Sequence, residues 1–369
     1  MRGAPWGGSE EFWYRMAMWM AQKGYKVECC FFDWPTGKEA RKDELIKAGC
    51  TLHLLPNPKI SKNYFQRLLI KSAVKNKLRQ VAQQEYDLVC INQGGMLDMT
   101  YKPFHSILPF LKKFVLVYHN YNETESLSPA RKRSLHKWCT AAKQNMVAAE
   151  KIYSVVQKIA GFDLPNCHVL KNPITIPVRN EPATWQSMNH NYTWVCIGQL
   201  DIRRKAQDVL IKSLSSEKWK QRNWQLFIYG GGDDEKILHD LVIQLQLSNK
   251  VFLKGHTDNV EEILLNAHLF LQVSRVDAMP LSVTEAMNMA RPCIVSAVGD
   301  MPLWIQHGQQ GFVVPKVEEP NIDKVLEEAW QQRENWEQMG INAFNMFHQK
   351  YPQPYEPYYE KLLTGLINN

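Results

Sequence analysis

Long hydrophobic runs are absent from the sequence, because Asn, Gln, Lys or Arg interrupts each apolar stretch before the ~18 residues of a membrane span. The segment Met1 to Trp6 has no hydrophobic region, so no secretory signal is expected there. The 8 cysteines are scattered and form no CxxC pair. Reduced, buried thiols in a cytoplasmic protein are the simplest interpretation of that pattern.

The proportions of hydrophobic (45%) and charged (22%) residues are those of a globular chain, and 369 residues suggest two domains and allow three. Charge is uneven, with a net +13 over residues 1–180 and −6 over the remainder. A basic half suits an anionic membrane surface or an acidic polymer. Nucleic acid is the competing partner, but no helix-turn-helix, zinc-finger or RNP-like pattern supports it, so no nucleic-acid binding is expected.

Short apolar runs alternate with helical patterns in both halves, which is typical of parallel sheets covered by helices on both faces. Strands are predicted at 27–32, 51–55, 88–92, 114–119, 146–148, 194–198, 224–229, 250–254, 269–273, 293–297 and 311–314. Helices are predicted at 10–23, 39–48, 64–84, 129–143, 206–214, 234–245, 260–267, 281–289 and 302–306. The linker is placed at 173–191, where proline and asparagine replace the periodicity.

This pattern predicts an α/β fold with two doubly wound domains, residues 1–175 and 192–350, and a tail at 351–369 that packs back toward the first domain. Such domains bind ligands at the carboxyl ends of their strands, so a cleft between facing domains is the natural site. In a doubly wound domain the first strand is central, yet Met1 to Trp6 are not strand-like. We therefore expect either a natural start upstream of Met1 or an unusual sheet edge with two unpaired neighbours.

Three groups of residues stand where these domains bind ligands. The first is Gly7-Gly8-Ser9-Glu10, which opens a helix; the second is Gly198-Gln199-Leu200-Asp201 followed by Arg203-Arg204-Lys205-Ala206; the third runs from Ser274 to Met287 and contains Asp277-x7-Glu285. In this order, and together with Gly230-Gly231 and Gly255-His256, they resemble glycosyltransferase family 4, which has two Rossmann-like domains in the GT-B architecture. The resemblance covers nearly the whole chain.

The resemblance implies a retaining, metal-independent enzyme that moves a hexose from a nucleotide sugar to a hydroxyl acceptor such as a polysaccharide or glycolipid. No cofactor is implied, because the nucleotide sugar is a substrate. Two positions depart from the family pattern: Gln199 stands where the family usually has Arg, and Asp277 where it usually has Glu.

Cleavage of a sugar–phosphate bond leaves negative charge on a diphosphate, which fixed cations and backbone N–H groups stabilise. Lys205, expected at the start of a helix, is the leading cation, and Arg203 is a second candidate beside Gln199. The alternative is that residues 203–205 are a solvated loop. Backbone N–H groups next to Pro280, on Met279 and Leu281, are further candidates.

Gly7 and Gly8 allow a backbone to approach a phosphate closely at a helix N-terminus. The alternative is that Ser9 caps the helix and the glycines form only its entry turn. Gly230, in a tight turn after a strand, is assigned to the nucleotide side by the resemblance alone.

Glu285 is expected to accept hydrogen bonds from ribose hydroxyls, and Asp277 to hold the transferred sugar. His119 ends an apolar strand and resembles the family's histidine near that sugar, although a satisfied strand-end histidine is the alternative. His256 is a candidate for the base pocket. The remaining histidines lack metal-ligand spacing, so no metal is expected.

Seven Lys or Arg and no acidic residue occur between Lys59 and Arg79. On a helix, Arg67, Lys71, Lys75 and Arg79 form one four-spaced ridge, which we hypothesise touches an anionic membrane at its inner face. An ordinary core helix with a solvated basic face is the alternative.

Two other functions stay open. A sugar-nucleotide epimerase or hydrolase would use Asp277 and Glu285 as an acid/base pair. A truncated, non-catalytic relative would bind only a glycan or nucleotide.

Overall fold

The computed structural model describes residues 8–33, 39–57, 63–95, 98–99, 102–123, 126–186 and 191–368. The chain divides into unit 1, Met1–Pro173 with Pro352–Asn369, and unit 2, Ile174–Tyr351. The predicted phosphate-binding residue Gly7 lies outside the described residues, as does the segment before it.

Unit 1 alternates parallel strands with helices. Its strands are β1 (Glu28–Phe32), β2 (Thr51–Leu55), β3 (Val89–Gln93), β4 (Phe114–Tyr118), β5 (Gln144–Val147) and β6 (Cys167–Val169). Its helices are α1 (Gly8–Gln22), α2 (Glu39–Lys47), α3 (Tyr64–Ala82), α4 (Lys102–His105), α5 (Pro129–Ala141), α6 (Glu150–Ala160) and, from the C-terminal segment, α16 (Tyr355–Asn368).

The strands of unit 1 form two separate sheets within the described residues. One holds β1 and β2, and the other holds β3, β4, β5 and β6 in that order, all parallel. The middle of the larger sheet is β4, in which every residue is buried because helices cover both of its faces.

Unit 2 has the same alternation. Its strands are β7 (Tyr192–Ile197), β8 (Trp224–Tyr229), β9 (Val251–Leu253), β10 (Leu269–Gln272), β11 (Cys293–Ser296) and β12 (Gly311–Val314). Its helices are α7 (Ile202–Lys205), α8 (Gln207–Ser213), α9 (Glu217–Gln221), α10 (Glu235–Gln244), α11 (Val260–Leu265), α12 (Leu281–Asn288), α13 (Met301–Trp304), α14 (Glu319–Gln331) and α15 (Trp336–Lys350).

The sheet of unit 2 has the order β12-β11-β10-β7-β8-β9, with every neighbouring pair parallel. This is the doubly wound order, in which the chain reverses its direction across the sheet between β7 and β10. The core is rich in tryptophan: Trp194 of β7 stacks on Trp224 of β8 with ring centres 5.0 Å apart. Large flat side chains suit strands that are buried on both faces, because each one removes much apolar area from water.

The predicted α/β class is confirmed, and most predicted strands lie within one or two residues of the observed ones. The predictions missed strand β6 and helices α4, α6, α7, α9, α14 and α15. The tail predicted at 351–369 contains α16, a helix of 14 residues.

Candidate active site

The carboxyl ends of β7 and β10 form the switch point of unit 2, where doubly wound domains bind their ligands. Two loops leave the sheet there. The loop after β7 carries Gly198 and Gln199 into α7, and the loop after β10 carries Ser274, Asp277 and Pro280 into α12. The sequence-predicted residues of unit 2 are concentrated in these two loops.

A lysine–carboxylate pair joins the two loops. Lys205 Nζ donates to Asp277 Oδ2 at 2.6 Å, and both side chains are about 15% exposed. Ser274 Oγ donates to the same oxygen at 2.9 Å, and Gln272 Nε2 donates to Ser274 Oγ at 2.7 Å. Gln272 Oε1 is buried and accepts no hydrogen bond from the described residues. This chain of hydrogen bonds therefore holds the ammonium of Lys205 in place. At its other end, Gln272 Oε1 can still accept a hydrogen bond.

The backbone around Lys205 differs from the expected helix start. Lys205 is the last residue of the short α7, which is capped at its beginning by Asp201 Oδ1 accepting from Arg204 N at 3.1 Å. Ala206 then adopts a left-handed conformation with φ of 54° before α8 begins. A buried non-glycine residue in that region is strained by about 1–2 kcal/mol, and such strain is found where a side chain must be aimed.

Two glycines allow the loops to approach this point. A Cβ on Gly230, whose φ is 141°, would lie 1.9 Å from the carbonyl oxygen of Gly198. A Cβ on Gly299, whose φ is 59°, would lie 2.0 Å from the carbonyl oxygen of Ala278 and 2.3 Å from that of Asp277. Larger residues at these positions would displace the loops that carry the lysine–carboxylate pair.

Two arginines near Gln199, the predicted phosphate cation Arg203 and its neighbour Arg204, have different surroundings. Arg203 is exposed, whereas Arg204 donates through Nη2 to Gln199 Oε1 at 2.8 Å and through Nε to Asp201 Oδ2 at 2.7 Å. The guanidinium of Arg204 therefore lies against Gln199. The sequence analysis did not select Arg204.

Glu285 lies in the middle of α12 and is buried. Its Oε1 accepts from the backbone N of Thr175 at 2.8 Å and from Thr175 Oγ1 at 2.7 Å. Asn288, one turn later, accepts from Arg179 N at 3.0 Å and donates to Pro177 O at 2.9 Å. Hydrogen bonds to Glu285 and Asn288 therefore hold the segment 175–179 against α12.

The entry to α12 supplies backbone donors. Pro280 is the residue before the helix and Leu281 its first residue, so the N–H of Leu281 has no partner within the helix. Met279 precedes them, and Ala278 O accepts from Asp300 N at 2.8 Å, which fixes the turn.

His256 is exposed and lies 3.5 Å from Asp258. Its neighbour Gly255 accepts through its carbonyl from Gly230 N at 2.8 Å, so the loops after β8 and β9 are in contact. Among the described residues, no group of three or more His, Cys, Asp or Glu side chains is placed to hold a metal ion.

His119 follows β4 in unit 1 and is buried. Burial lowers the pKa of its imidazole to about 4, against a hydrogen bond with Asn172 that raises it, so the ring is neutral at pH 7. Asn92 Nδ2 donates to Ser9 O at 3.1 Å, and Asn92 Oδ1 lies 2.7 Å from His119 Nε2. A carbonyl oxygen only accepts, so Nε2 carries the proton.

Asn92 therefore connects two sequence-predicted elements of unit 1, His119 and the start of α1. Helix α1 begins at Gly8, and Ser9 Oγ donates to Glu10 Oε2 at 2.8 Å. Glu10 is buried at this helix start, which places an acidic side chain close to the proposed phosphate position.

Three residues that hydrogen-bond to the predicted site residues or to their partners were missed by the sequence analysis: Gln272, Thr175 and Asn92. Ser274 was named there only as the first residue of the third group, without a role. Gln272 and Ser274 carried a signal, because they are polar residues spaced by two in an otherwise apolar run. Polar residues at the end of a buried strand need partners, and here the partner is the carboxylate of Asp277.

Two proteins of similar sequence and one solved structure of similar fold can be compared with this chain. An N-acetyl-alpha-D-glucosaminyl L-malate synthase of Bacillus anthracis is 35% identical over 89 residues, which is 24% of this chain and 23% of that protein. An uncharacterized glycosyltransferase of Haemophilus influenzae is 23% identical over 325 residues, 87% of this chain and 85% of that protein. The crystal structure of Anabaena Alr3699/HepE in complex with UDP has a TM-score of 0.73 at 16% identity and covers 98% of this chain and 97% of that chain.

The likeness in fold over nearly the whole of both chains confirms the GT-B architecture expected from the sequence. The family described as "Glycosyl transferases group 1" matches residues 179–346, which is most of Ile174–Tyr351. The matched residues include the lysine–carboxylate pair of Lys205 and Asp277.

Proposed function

We propose that the protein is a retaining, metal-independent glycosyltransferase that moves a hexose from a UDP-sugar to a hydroxyl of a glycan or glycolipid. The observation that carries the proposal is the pairing of Lys205 with Asp277 at the switch point of unit 2. The choice of UDP and hexose rests on the HepE structures, which contain UDP and UDP-glucose.

In this mechanism the bond between the sugar C1 and the diphosphate oxygen breaks, and a bond between C1 and the acceptor oxygen forms on the same face. The acceptor proton passes to the departing phosphate. Lys205 has three donors, so its ammonium can keep Asp277 and also bind the phosphate whose charge rises in the transition state. Asp277 then positions a sugar hydroxyl.

Arg204 supplies a second positive charge in the proposal. The family pattern has an arginine where this chain has Gln199, and the guanidinium of Arg204 lies against that glutamine at 2.8 Å. In the proposal, Arg204 therefore supplies the positive charge that the family's arginine would supply at position 199, five residues earlier in the chain. The first amides of α12, beginning at Leu281, add neutral donors for the same anion.

Glu285 is the proposed ribose-binding residue. The two hydrogen bonds from Thr175 fix its side chain in one orientation before nucleotide arrives, which lowers the entropy cost of binding. His119 is neutral at pH 7, so its role would be a hydrogen bond to a sugar hydroxyl rather than a charge on a phosphate.

Nucleotide-induced stabilisation tests the donor. UDP at about 100 times its Kd is expected to raise the thermal midpoint by about 5 °C, whereas uridine, GDP and ADP at equal concentration leave it nearly unchanged. Equal shifts with all four compounds would contradict a diphosphate-specific uridine site.

Turnover separates the proposal from the two other functions. UDP release from UDP-glucose that requires an added acceptor supports transfer, while release of free sugar without one supports a hydrolase. A UDP-induced shift without turnover on any acceptor would support a non-catalytic nucleotide-binding relative.

We also propose that helix α3 attaches the enzyme peripherally to the inner face of an anionic membrane. Its ridge of Arg67, Lys71, Lys75 and Arg79 is exposed, and its first turns add an apolar patch that the sequence analysis did not single out. Phe65 is 75% and Leu69 is 71% exposed; Phe65 precedes the ridge, and Leu69 lies between its first two members. Basic and apolar groups together bind anionic lipid surfaces better than either alone. Among the described residues, no helix is long and apolar enough to cross a bilayer.

Vesicle sedimentation tests this attachment. Retention on vesicles containing phosphatidylserine is expected to exceed retention on phosphatidylcholine vesicles at least tenfold, and to fall with added salt because each basic residue contributes about 1 kcal/mol. Replacing the four ridge residues by glutamine removes the lipid preference, and replacing Phe65 and Leu69 by serine weakens binding to both. Equal retention on the two lipids would contradict the attachment of helix α3 to an anionic membrane.

A further inference from the structure

Two polar side chains are buried at the end of strand β10, in the middle of the sheet of unit 2. Gln272, the last residue of β10, is 2% exposed, and Ser274, two positions later, is fully buried. Side chains two positions apart along a strand lie on the same face, and Gln272 Nε2 donates to Ser274 Oγ at 2.7 Å. Burying polar groups costs free energy unless they are hydrogen-bonded, so a polar pair at this place needs a reason.

The protons of this pair have one consistent arrangement. An ionised carboxylate only accepts, so the hydroxyl of Ser274 donates its single proton to Asp277 Oδ2, 2.9 Å away. The oxygen of Ser274 is then left to accept, and it accepts from the amide of Gln272. The opposite amide orientation would turn Gln272 Oε1 to Ser274 and draw the same proton away from Asp277. The amide of Gln272 therefore directs the Ser274 proton to the carboxylate, at the cost of leaving its own Oε1 buried without a partner among the described residues.

The two carboxylate oxygens of Asp277 are used differently. Oδ2 accepts from Ser274 Oγ at 2.9 Å and from Lys205 Nζ at 2.6 Å. No hydrogen bond reaches Oδ1 from the residues that the structure describes. The side chain is 16% exposed, so Oδ1 is the oxygen left to accept from a ligand.

The main chain next to Asp277 is held by other hydrogen bonds. The carbonyl oxygen of Arg204 accepts from the backbone N–H groups of Arg275 and Val276, at 2.7 and 3.2 Å. These two bonds join the loop after β10 to the loop after β7 without using a side chain. Loss of the Ser274 hydroxyl therefore leaves the backbone of Asp277 in place and frees only the direction of its carboxylate.

We propose that Ser274 and Gln272 are positioning residues for Asp277: they hold Oδ2 and so keep Oδ1 directed at a hydroxyl of the transferred sugar. This inference rests on the proposed function, in which Asp277 binds that sugar. Without the Ser274 proton, the carboxylate rotates and accepts from Lys205 through both oxygens. The ammonium is then drawn away from the departing phosphate, and the sugar loses the acceptor that aligns its C1.

The kinetics of Ser274→Ala are the first test. The kcat for transfer from UDP-glucose is expected to fall about 10- to 100-fold, because misalignment at the reacting centre costs on this scale. The Kd of UDP, which has no sugar, is expected to stay unchanged. The matched control is Ser213→Ala, which removes another buried hydroxyl of unit 2, one that donates to Val209 O at 2.8 Å, and is expected to keep kcat. Retention of the original kcat by Ser274→Ala would overturn the proposal.

A double-mutant cycle tests the part assigned to Gln272. Gln272→Leu alone is expected to lower kcat, but less than Ser274→Ala does, because the serine proton is still present. In the Ser274→Ala background, Gln272→Leu is expected to change kcat no further, since its effect passes through the missing hydroxyl. An equal factor in both backgrounds would show that Gln272 does not act through Ser274.

Thermal unfolding of the same variants separates positioning from packing. Ser274→Ala leaves the amide of Gln272 without an acceptor, so its thermal midpoint is expected to fall by a few degrees. The double variant removes both polar groups and is expected to recover the midpoint but not kcat. Recovery of kcat together with the midpoint would show that the two residues only support the fold.

A crystal structure of Ser274→Ala tests the geometry without turnover. The carboxylate of Asp277 is expected to turn until both of its oxygens face Lys205. If the original protein neither binds UDP nor transfers glucose, the proposed function fails, and this rotation still decides whether Ser274 positions the carboxylate. A carboxylate that keeps its orientation in the variant overturns the inference whatever the kinetics show.

Discussion

Replacing Lys205 by methionine is expected to lower kcat/KM for the UDP-sugar by two to three orders of magnitude. The reason is that its ammonium stabilises charge that is larger on the departing phosphate than on the intact donor, and removing one such fixed donor costs about 10²- to 10³-fold. Because the loss is in the transition state, kcat carries most of it and KM changes little. Initial-rate kinetics over a range of donor concentrations measures the two constants separately.

Removing Lys205 also leaves Asp277 without its 2.6 Å partner, so a structural effect has to be separated from the chemical one. The double variant Lys205→Met, Asp277→Asn removes both charges and is expected to restore thermal stability without restoring kcat. Lys212→Met is the matched control, because this half-buried lysine of unit 2 faces Asp208 at 4.0 Å and has no proposed contact with donor. A folded Lys205→Met enzyme with kcat within threefold of the original would refute the assigned role.

The strands were predictable because buried parallel strands appear as short apolar runs in the sequence. Residues 224–229 and 311–314 have the predicted bounds, since tight turns or polar residues delimit both runs. The position of Lys205 and Asp277 after neighbouring strands also followed from the alternation, because parallel strands present their carboxyl ends at one edge.

The partners of those residues were not predictable by the same means. Lys205 and Asp277 are 72 positions apart, and Thr175 and Glu285 are 110 apart. Periodicity and capping report on neighbours within a few residues, whereas these hydrogen bonds depend on how the loops pack. The helix predicted at 206–214 is α8, but the short helix α7 before it was not predicted: Asp201 caps α7, Lys205 is its last residue, and Ala206 turns the chain before α8.

Helices α14 and α15 illustrate a second limit. Their buried faces, such as Ile322, Val325 and Leu326 in α14 and Trp336 in α15, are defined by the tryptophan-rich core of unit 2. Neither N-cap makes a side-chain hydrogen bond, so both helices lack one common signal of a helix start, although Pro320 lies in the first turn of α14. Tertiary packing, rather than local preference, supplies most of their stability.

Replacing Glu285 by alanine is expected to lower the affinity for UDP about 100-fold. In the proposed site its carboxylate accepts from two ribose hydroxyls, and hydrogen bonds to charged groups contribute about 1.5–3 kcal/mol each. The residue also anchors Thr175 through two hydrogen bonds, so alanine is expected to lower the free energy of unfolding by about 2 kcal/mol as well. Calorimetric titration with UDP and thermal unfolding measure the two effects separately.

Modified ligands distinguish the ribose contact from general damage to the site. If Glu285 binds the ribose diol, then 2′,3′-dideoxy-UDP binds the original protein and the Glu285→Ala variant with nearly equal affinity. The reason is that this ligand has no ribose hydroxyls to donate to Glu285, so removing the carboxylate costs it no hydrogen bond. Glu285→Gln keeps an acceptor for Thr175 and so retains stability, but it gives up the negative charge and is expected to lose about tenfold in UDP affinity. An equal loss for UDP and its dideoxy analogue on Glu285→Ala would show that Glu285 only fastens Thr175 to α12. The ribose would then have to be held by other residues.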